Sequence, residues 1–314
     1  MMPGPSIEVC LNDTIIVDVR NHLMSEGTTI HWHGIHQRNS PYMDGVPHVS
    51  QCAIPPGQEF RYNFIAENAG THFWHSHLGM QRGDGVYGAL IVRNPEEIHE
   101  KLYDYDMSEH ILITNDWTHM PSTSVFTAHH HGKGDNKPSN ILINGKGKYF
   151  GNMTKVVETT MTQNIEKNFN QDDFENETTK DNVLTTVEPV TITSSSLLFE
   201  EQTQEETTNN NILSDVESGN TRQKRSLLVP DDDSPLVPYE VFNVAKGHRY
   251  RFRHINAGFL NCPIEISIDN HTIMALASDG NSLEPIETTF LVTYAGERWD
   301  FVVNANQNVG NYYI

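Results

Sequence analysis

The amino-acid sequence predicts an all-β protein made of successive sandwiches or barrels. Three observations carry this. Short runs alternate apolar and polar residues with period two. Clusters of Gly, Pro, Asn and Asp punctuate those runs at regular intervals. Only "PEEIHEKLYDYD", residues 95–106, hints at a helix.

The strands follow in order. In "DTIIVDVRN", Ile15, Val17 and Val19 share one face while Asp18 and Arg20 share the other. In "EFRYNF", Phe60, Tyr62 and Phe64 oppose Glu59, Arg61 and Asn63, and "GVYGALIVRN" is a further strand bounded by glycine and Asn-Pro. Turns are expected at "RNSPYMDGVP", "IPPGQ", "AENAG" and "QRGDG". A second β unit opens at "EHILITNDW", runs through "SNILING" and resumes at "PYEVFNVAKGHRYRFRHIN", where Tyr250 and Phe252 face opposite to Arg249, Arg251 and Arg253. In "CPIEISIDNHTIMALASDG", Ile264, Ile266 and Ile268 alternate.

A chain of 314 residues has room for about two domains. The expected organisation is residues 1–104 as the first, with 105–151 and 236–314 together as the second. Between them, 152–235 carries 17 acidic against 6 basic residues, a net of −11, and is rich in Thr, Asn, Ser and Gln. Such a stretch is expected to be an acidic, low-complexity, largely disordered insertion. The whole chain has a net charge of −20, which argues against nucleic acid or an anionic membrane as partner. Mean hydropathy is −0.51, and no apolar run reaches the roughly 18 residues of a membrane span. Three cysteines, Cys10, Cys52 and Cys262, are too few for a disulfide scaffold. N-x-S/T sequons occur at Asn12, Asn152, Asn176 and Asn270.

The chemistry is concentrated in "HWHG" at 31–34 and "HFWHSH" at 72–77. On a strand, His31 and His33 point to the same side with Cα atoms about 6.6 Å apart, and Trp32 points away. The same parity groups His75 with His77 and puts His72 on the other face. Two strands offering two imidazoles each to one point form a metal site, and imidazole suits zinc, copper, iron and nickel. Spacing alone leaves the metal open, since a strand H-x-H also serves zinc hydrolases.

The surrounding blocks narrow the choice. "PGPSIEVCLNDTIIVDVRNHL", "TTIHWHGIHQRNSPYMDGVPHVSQCAIPPGQEFRYNF", "GTHFWHSHLGMQRGDGVYGALIVRNP" and "YAGERWDFVVNANQNVGNYYI" resemble the multicopper oxidases, most of all the laccase-type enzymes of animals. The resemblance implies tandem cupredoxin-like Greek-key domains and a three-copper cluster that reduces O2 to water with electrons from a small reductant. By motif, His31 would bind the type 2 copper, His33 and His75 one type 3 copper, and His77 the other. Asp44, in "MDGVP", matches a family carboxylate behind the cluster that orients ligands or relays protons.

Two further family motifs, His-Pro-x-His-x-His and His-Cys-His, do not occur. They would complete the cluster and supply the type 1 copper that takes electrons from substrate. Cys262, in "LNCPI", has no adjacent histidine, and "HHHG" at 129–132 reads as a solvated loop. The expectation is therefore the N-terminal part of a three-domain secreted oxidase, inactive without its third domain. "RQKRS" at 222–226 resembles a proprotein-convertase site in an accessible segment. The competing expectation is a non-enzymatic cupredoxin-like protein that binds copper or a partner.

Overall fold

The computed structural model describes residues 1–132, 137–147, 195–198, 239–260 and 262–314. Strands β1 (Ile7–Cys10), β2 (Thr14–Arg20), β3 (Ile30–His33), β4 (Glu59–Ile65), β5 (Gly70–Ser76) and β6 (Tyr87–Arg93) form the first set. One sheet runs β1-β6-β5-β3, its first and last strands in sequence pairing in parallel, and a β2–β4 ladder makes the facing layer. The alternation of β2 and β4 delivers Ile15, Tyr62 and Phe64 inward, where they meet Trp32, Leu90 and Val92 in one apolar cluster.

Tyr62 does more than fill space. Its hydroxyl accepts the Ile30 N–H at 3.0 Å and donates to Gln51 Oε1 at 2.8 Å. It thereby anchors the start of β3, the strand that carries His31 and His33. Tyr62→Phe is expected to cost about 1–3 kcal/mol, because it leaves the buried Ile30 amide without an acceptor. Equilibrium urea unfolding of the variant measures this, and a neutral result would remove the anchor from the account.

The second set comprises β7 (Ile111–Trp117), β8 (Asn140–Ile143), β9 (Ser195–Leu198), β10 (Glu240–Asn243), β11 (Arg249–Asn256), β12 (Ile264–Ser267), β13 (Ile273–Ser278), β14 (Asn281–Thr288), β15 (Phe290–Thr293), β16 (Arg298–Asn304) and β17 (Tyr312–Tyr313). A sheet in the order β14-β13-β16-β11-β7-β8 faces the β12–β15 pair and the β10-β9-β17 trio. Phe242, Phe252, Phe301, Ile143 and the alternating Ile264, Ile266 and Ile268 share its core. Strands β8 and β10, on either side of the acidic stretch, thus contribute to one cluster.

A third apolar cluster joins the two sets. Phe73, Tyr87, Ala89 and Ile91 of the first pack on Ile111, Ile113, Ile255 and Ala257 of the second. Beside it runs an ion network. Asp300, 1% exposed, pairs with Arg251 at 2.5 Å and Arg253 at 3.3 Å, and accepts the Thr71 hydroxyl at 2.5 Å. Arg253 also pairs with Asp106 at 2.6 Å, and Arg251 with Glu97 at 2.9 Å.

Two sequence expectations, for residues 95–106 and for "HHHG", need correction, and two others gain detail. Arg251 and Arg253 alternate with Tyr250 and Phe252 as expected, yet both are 3% exposed, because their face of β11 meets the first set of strands. Residues 95–106 form only a 3-10 turn at Glu100–Leu102. Their carboxylates Glu97, Asp104 and Asp106 bind Arg251, Arg249 and Arg253, which holds the segment along β11. "HHHG" is not a loop: α1 (Ser122–His131) includes all three histidines. Its first turn is capped from outside, by Asp84 Oδ1 accepting the Ser122 N–H at 2.8 Å. Within the acidic stretch the described residues are the four of β9, which pairs in parallel with β10 and antiparallel with β17. The rest of 152–235, with Asn152, Asn176 and the basic cluster at 222–226, lies outside the described residues. Asn12 and Asn270 are exposed and adopt positive φ.

Candidate metal centre

Strands β3 and β5 are antiparallel neighbours with His31 opposite His75. The register brings the imidazoles together. Ring centroids lie 5.4 Å apart for His31–His33, 5.3 Å for His31–His75, 5.5 Å for His33–His75, 5.3 Å for His31–His77 and 5.8 Å for His75–His77. One nitrogen from each of His31, His33 and His75 falls within 4.8 Å of the other two, the one such group of three among the described residues. His77 sits just past β5, held by its N–H to the Thr29 carbonyl at 3.1 Å, and stacks on His75 at 23°.

Each ring is oriented from behind. His31 Nδ1–H donates to the Asp44 carbonyl at 2.7 Å, with the Asp44 carboxylate at 3.4 Å. The backbone of Asp44 therefore makes the shorter contact, and its side chain stands next to it. His75 Nδ1–H donates to the Ser76 carbonyl at 2.8 Å. Both bonds leave Nε2 as the free lone pair. His33 stacks on Phe73 at 4.5 Å, and its Nδ1 faces His75 Nε2 at 3.3 Å. The turn after His77 is pinned by Gln81, which accepts from Ser76 at 2.6 Å and Thr28 at 2.9 Å and donates to the Gly27 carbonyl at 2.9 Å.

The second set of strands closes one side. Gly296, at φ +93°, lies so near His33 that a Cβ would stand 3.1 Å from its Cε1. Arg298 fixes this turn by donating to the Gly296 carbonyl at 3.0 Å and to the Thr71 carbonyl at 3.2 Å. His72 is fully buried on the other face of β5, beside Gly280 and bonded to the Asn68 carbonyl at 3.1 Å. It is outside the cluster, as strand parity predicts.

Burial pushes His33 down to about 2, helped by the Arg298 and His31 charges. Burial likewise holds His75 well below the usual imidazole range, and His77 below it. Neutral imidazoles, each with a nitrogen lone pair to offer, are what a metal ion requires.

Gly45, at φ +81°, follows Asp44, and any Cβ there would run into the Ile30 carbonyl. Gly45→Ala is expected to push the Asp44 turn off His31 and weaken metal binding about 10–100-fold, the usual effect of losing a residue that orients a ligand. Copper titration of the variant tests this, and unchanged affinity would mean that the turn does not position the ring.

Sequence reasoning missed the other wall of the site. A cavity of about 400 Å³ beside His75 and His77 is lined across from them by Phe126, His129 and His130 of α1. The readable sign was punctuation, Pro121 before the helix and Gly132 after it.

The multicopper oxidase family profiles match residues 1–97 and 108–314. The chain belongs to the multicopper oxidase family. It is 30% identical over 315 aligned residues to the L-ascorbate oxidase of Cucurbita maxima, covering 99% of the chain and 43% of that relative. It is 28% identical to Laccase-1 of Botryotinia fuckeliana, covering 100% of the chain and 40% of the relative. The laccase structure from Botrytis aclada superposes with a TM-score of 0.65 at 27% identity, over 99% of this chain and 43% of that one. This multicopper oxidase chain thus spans under half the length of the relatives it matches. Its strands form the cupredoxin-like sandwiches of the family, and the family implies copper as cofactor. Among the described residues no helix is long and apolar enough to cross a membrane.

Proposed function

We propose that His31, His33, His75 and His77 are copper ligands and supply half the ligand set of a trinuclear cluster. In this reading His31 serves the type 2 copper, His33 and His75 one type 3 copper, and His77 the other. The observation that supports it best is the convergence of three imidazole nitrogens within 4.8 Å from two adjacent strands. Copper bound there would supply the electrons for the four-electron reduction of O2 to water, drawn from a small reductant such as a phenol, a diamine or a metal ion.

The chain's own groups then have defined tasks. The Asp44 carbonyl and the Ser76 carbonyl hold His31 and His75 with Nε2 forward. Phe73 stacks on His33, and Gly296 leaves room beside the ring's Cε1 edge. The Asp44 carboxylate, part-exposed and 3.4 Å from His31, stands where it can pass protons between solvent and reduced oxygen. Residues 1–104 form the first cupredoxin-like domain, and 105–151 with 236–314 the second. A third such domain would supply the remaining cluster ligands and the type 1 centre, and the protein would work outside the cell.

Residues 1–314, loaded with copper, are expected to bind the metal through imidazole nitrogen by X-ray absorption. They should show no intense blue copper–thiolate band and no O2 uptake with phenols, since electron entry is lacking. Turnover with a blue band would overturn the division of labour. Copper binding that survives His31→Ala/His33→Ala unchanged would overturn the site.

A further inference from the structure

The cavity beside His75 and His77 has a second histidine wall that the cluster does not use. Phe126, His129 and His130 occupy positions i, i+3 and i+4 of α1 and line the cavity, His129 half-buried and the other two exposed at its mouth. The helix is seated there by the first set of strands. Asp84 takes the Ser122 N–H, and Gly83 lies so close that a Cβ would strike Phe259 and the Ser122 hydroxyl. The rings of His129 and His130 are 5.5 Å apart at 74°, with Phe126 4.1 Å from His130. His129 Nδ1 is buried and makes no hydrogen bond. A buried imidazole nitrogen without a partner is costly, and a ligand at this position would relieve that cost.

The chemistry of the walls selects the ligand. Imidazole and thioether donors suit Cu(I), and Met80 lines the same cavity as both pairs of histidines. Arg82 also lines it, and a fixed positive charge repels a divalent ion about twice as strongly as a monovalent one.

We propose that His129 and His130 form a capture site for Cu(I), from which the ion moves past Met80 to His77 and His75. The ion keeps its oxidation state throughout and only exchanges ligands. The transfer half of this idea rests on His31, His33, His75 and His77 being the copper site, whereas the capture half does not.

The experiment is an anaerobic titration of the full chain with Cu(I) against a chromophoric Cu(I) chelator. The wild-type chain is compared with His129→Ala/His130→Ala, His129→Gln/His130→Gln and His31→Ala/His33→Ala. Alanine and glutamine both favour helix, so α1 should persist in the first two, as far-UV circular dichroism can verify. Both α1 variants are expected to lose one equivalent of bound Cu(I), and to load the remaining copper more slowly by stopped flow. The His31→Ala/His33→Ala variant should keep the α1 equivalent and lose cluster copper. Equal stoichiometry and affinity in the wild-type chain and both α1 variants would overturn the capture site. Loss of the equivalent with unchanged loading rate would overturn the transfer. Retention of all copper in His31→Ala/His33→Ala would instead sink the cluster assignment and leave the capture site standing.

Discussion

Asp300→Ala is expected to destabilise the chain by about 3–5 kcal/mol, the cost of removing one partner from a buried ion network. The variant would leave Arg251 and Arg253, each 3% exposed, facing one another without the carboxylate between them. Thr71 would lose the acceptor of its hydroxyl as well. Thr71→Val, which keeps both ion pairs, should cost far less. Burial alone pushes the Asp300 carboxyl up, and the Arg251 and Arg253 guanidiniums outweigh it, holding the group below its ordinary value. A depressed carboxyl contributes stability that is complete above its unfolded value of about 3.9 and is lost only as pH falls through the lower folded value. Urea unfolding near neutral pH gives the first number. A loss under about 1 kcal/mol, the range of exposed pairs, would show that the network is not held out of water.

Acid sensitivity should begin well above that window and come from histidines. Burial pulls fully buried His254 down to about 3 and His72 to about 4. In the unfolded chain both return to about 6.5, so unfolding takes up protons below that pH. The sign is therefore destabilising. Stability falls as pH drops below about 6.5, by about 1.4 kcal/mol per pH unit for each ring, until the folded values are reached. These two rings alone give a slope of about 3 kcal/mol per unit between pH 6 and 4, while Asp300 is still ionised and contributes fully. His33 and His75, also held neutral by burial, steepen it further. His254→Gln should reduce the slope by about 1.4 kcal/mol per pH unit, one ring's share, whatever it does to stability at neutral pH. An unchanged slope would show that His254 is not carried neutral in the folded chain.

The features legible in the sequence were those set by local periodicity. Alternation placed Ile15, Tyr62 and Phe64 on the inner faces, and H-x-H parity grouped His31 with His33 and His75 with His77 while excluding His72. Features set by contact between the two sets of strands were not legible. Arg251 and Arg253 alternate with aromatics exactly as a solvated face would, and only the packing of β11 against β5 makes that face an interior. The same contact explains α1. Its cap is Asp84, 38 residues upstream, so no capping residue stands in the helix's own sequence. Residues 95–106 mislead for a related reason, since their apolar spacing suggests a helix while three of their carboxylates answer to arginines about 150 positions away.

The nearness of Gly296 to His33 has a consequence for descent. A ring that the first half of the chain presents is shaped by a residue of the second half, with Arg298 fixing the turn between them. The two halves therefore cannot be exchanged freely between relatives. A chimera that joins one enzyme's histidine strand to another's β15–β16 turn inherits a working site only if the small residue arrives with the ring it accommodates. Substitutions at the two places should be found to change together across the family, although they lie more than 250 residues apart in the chain.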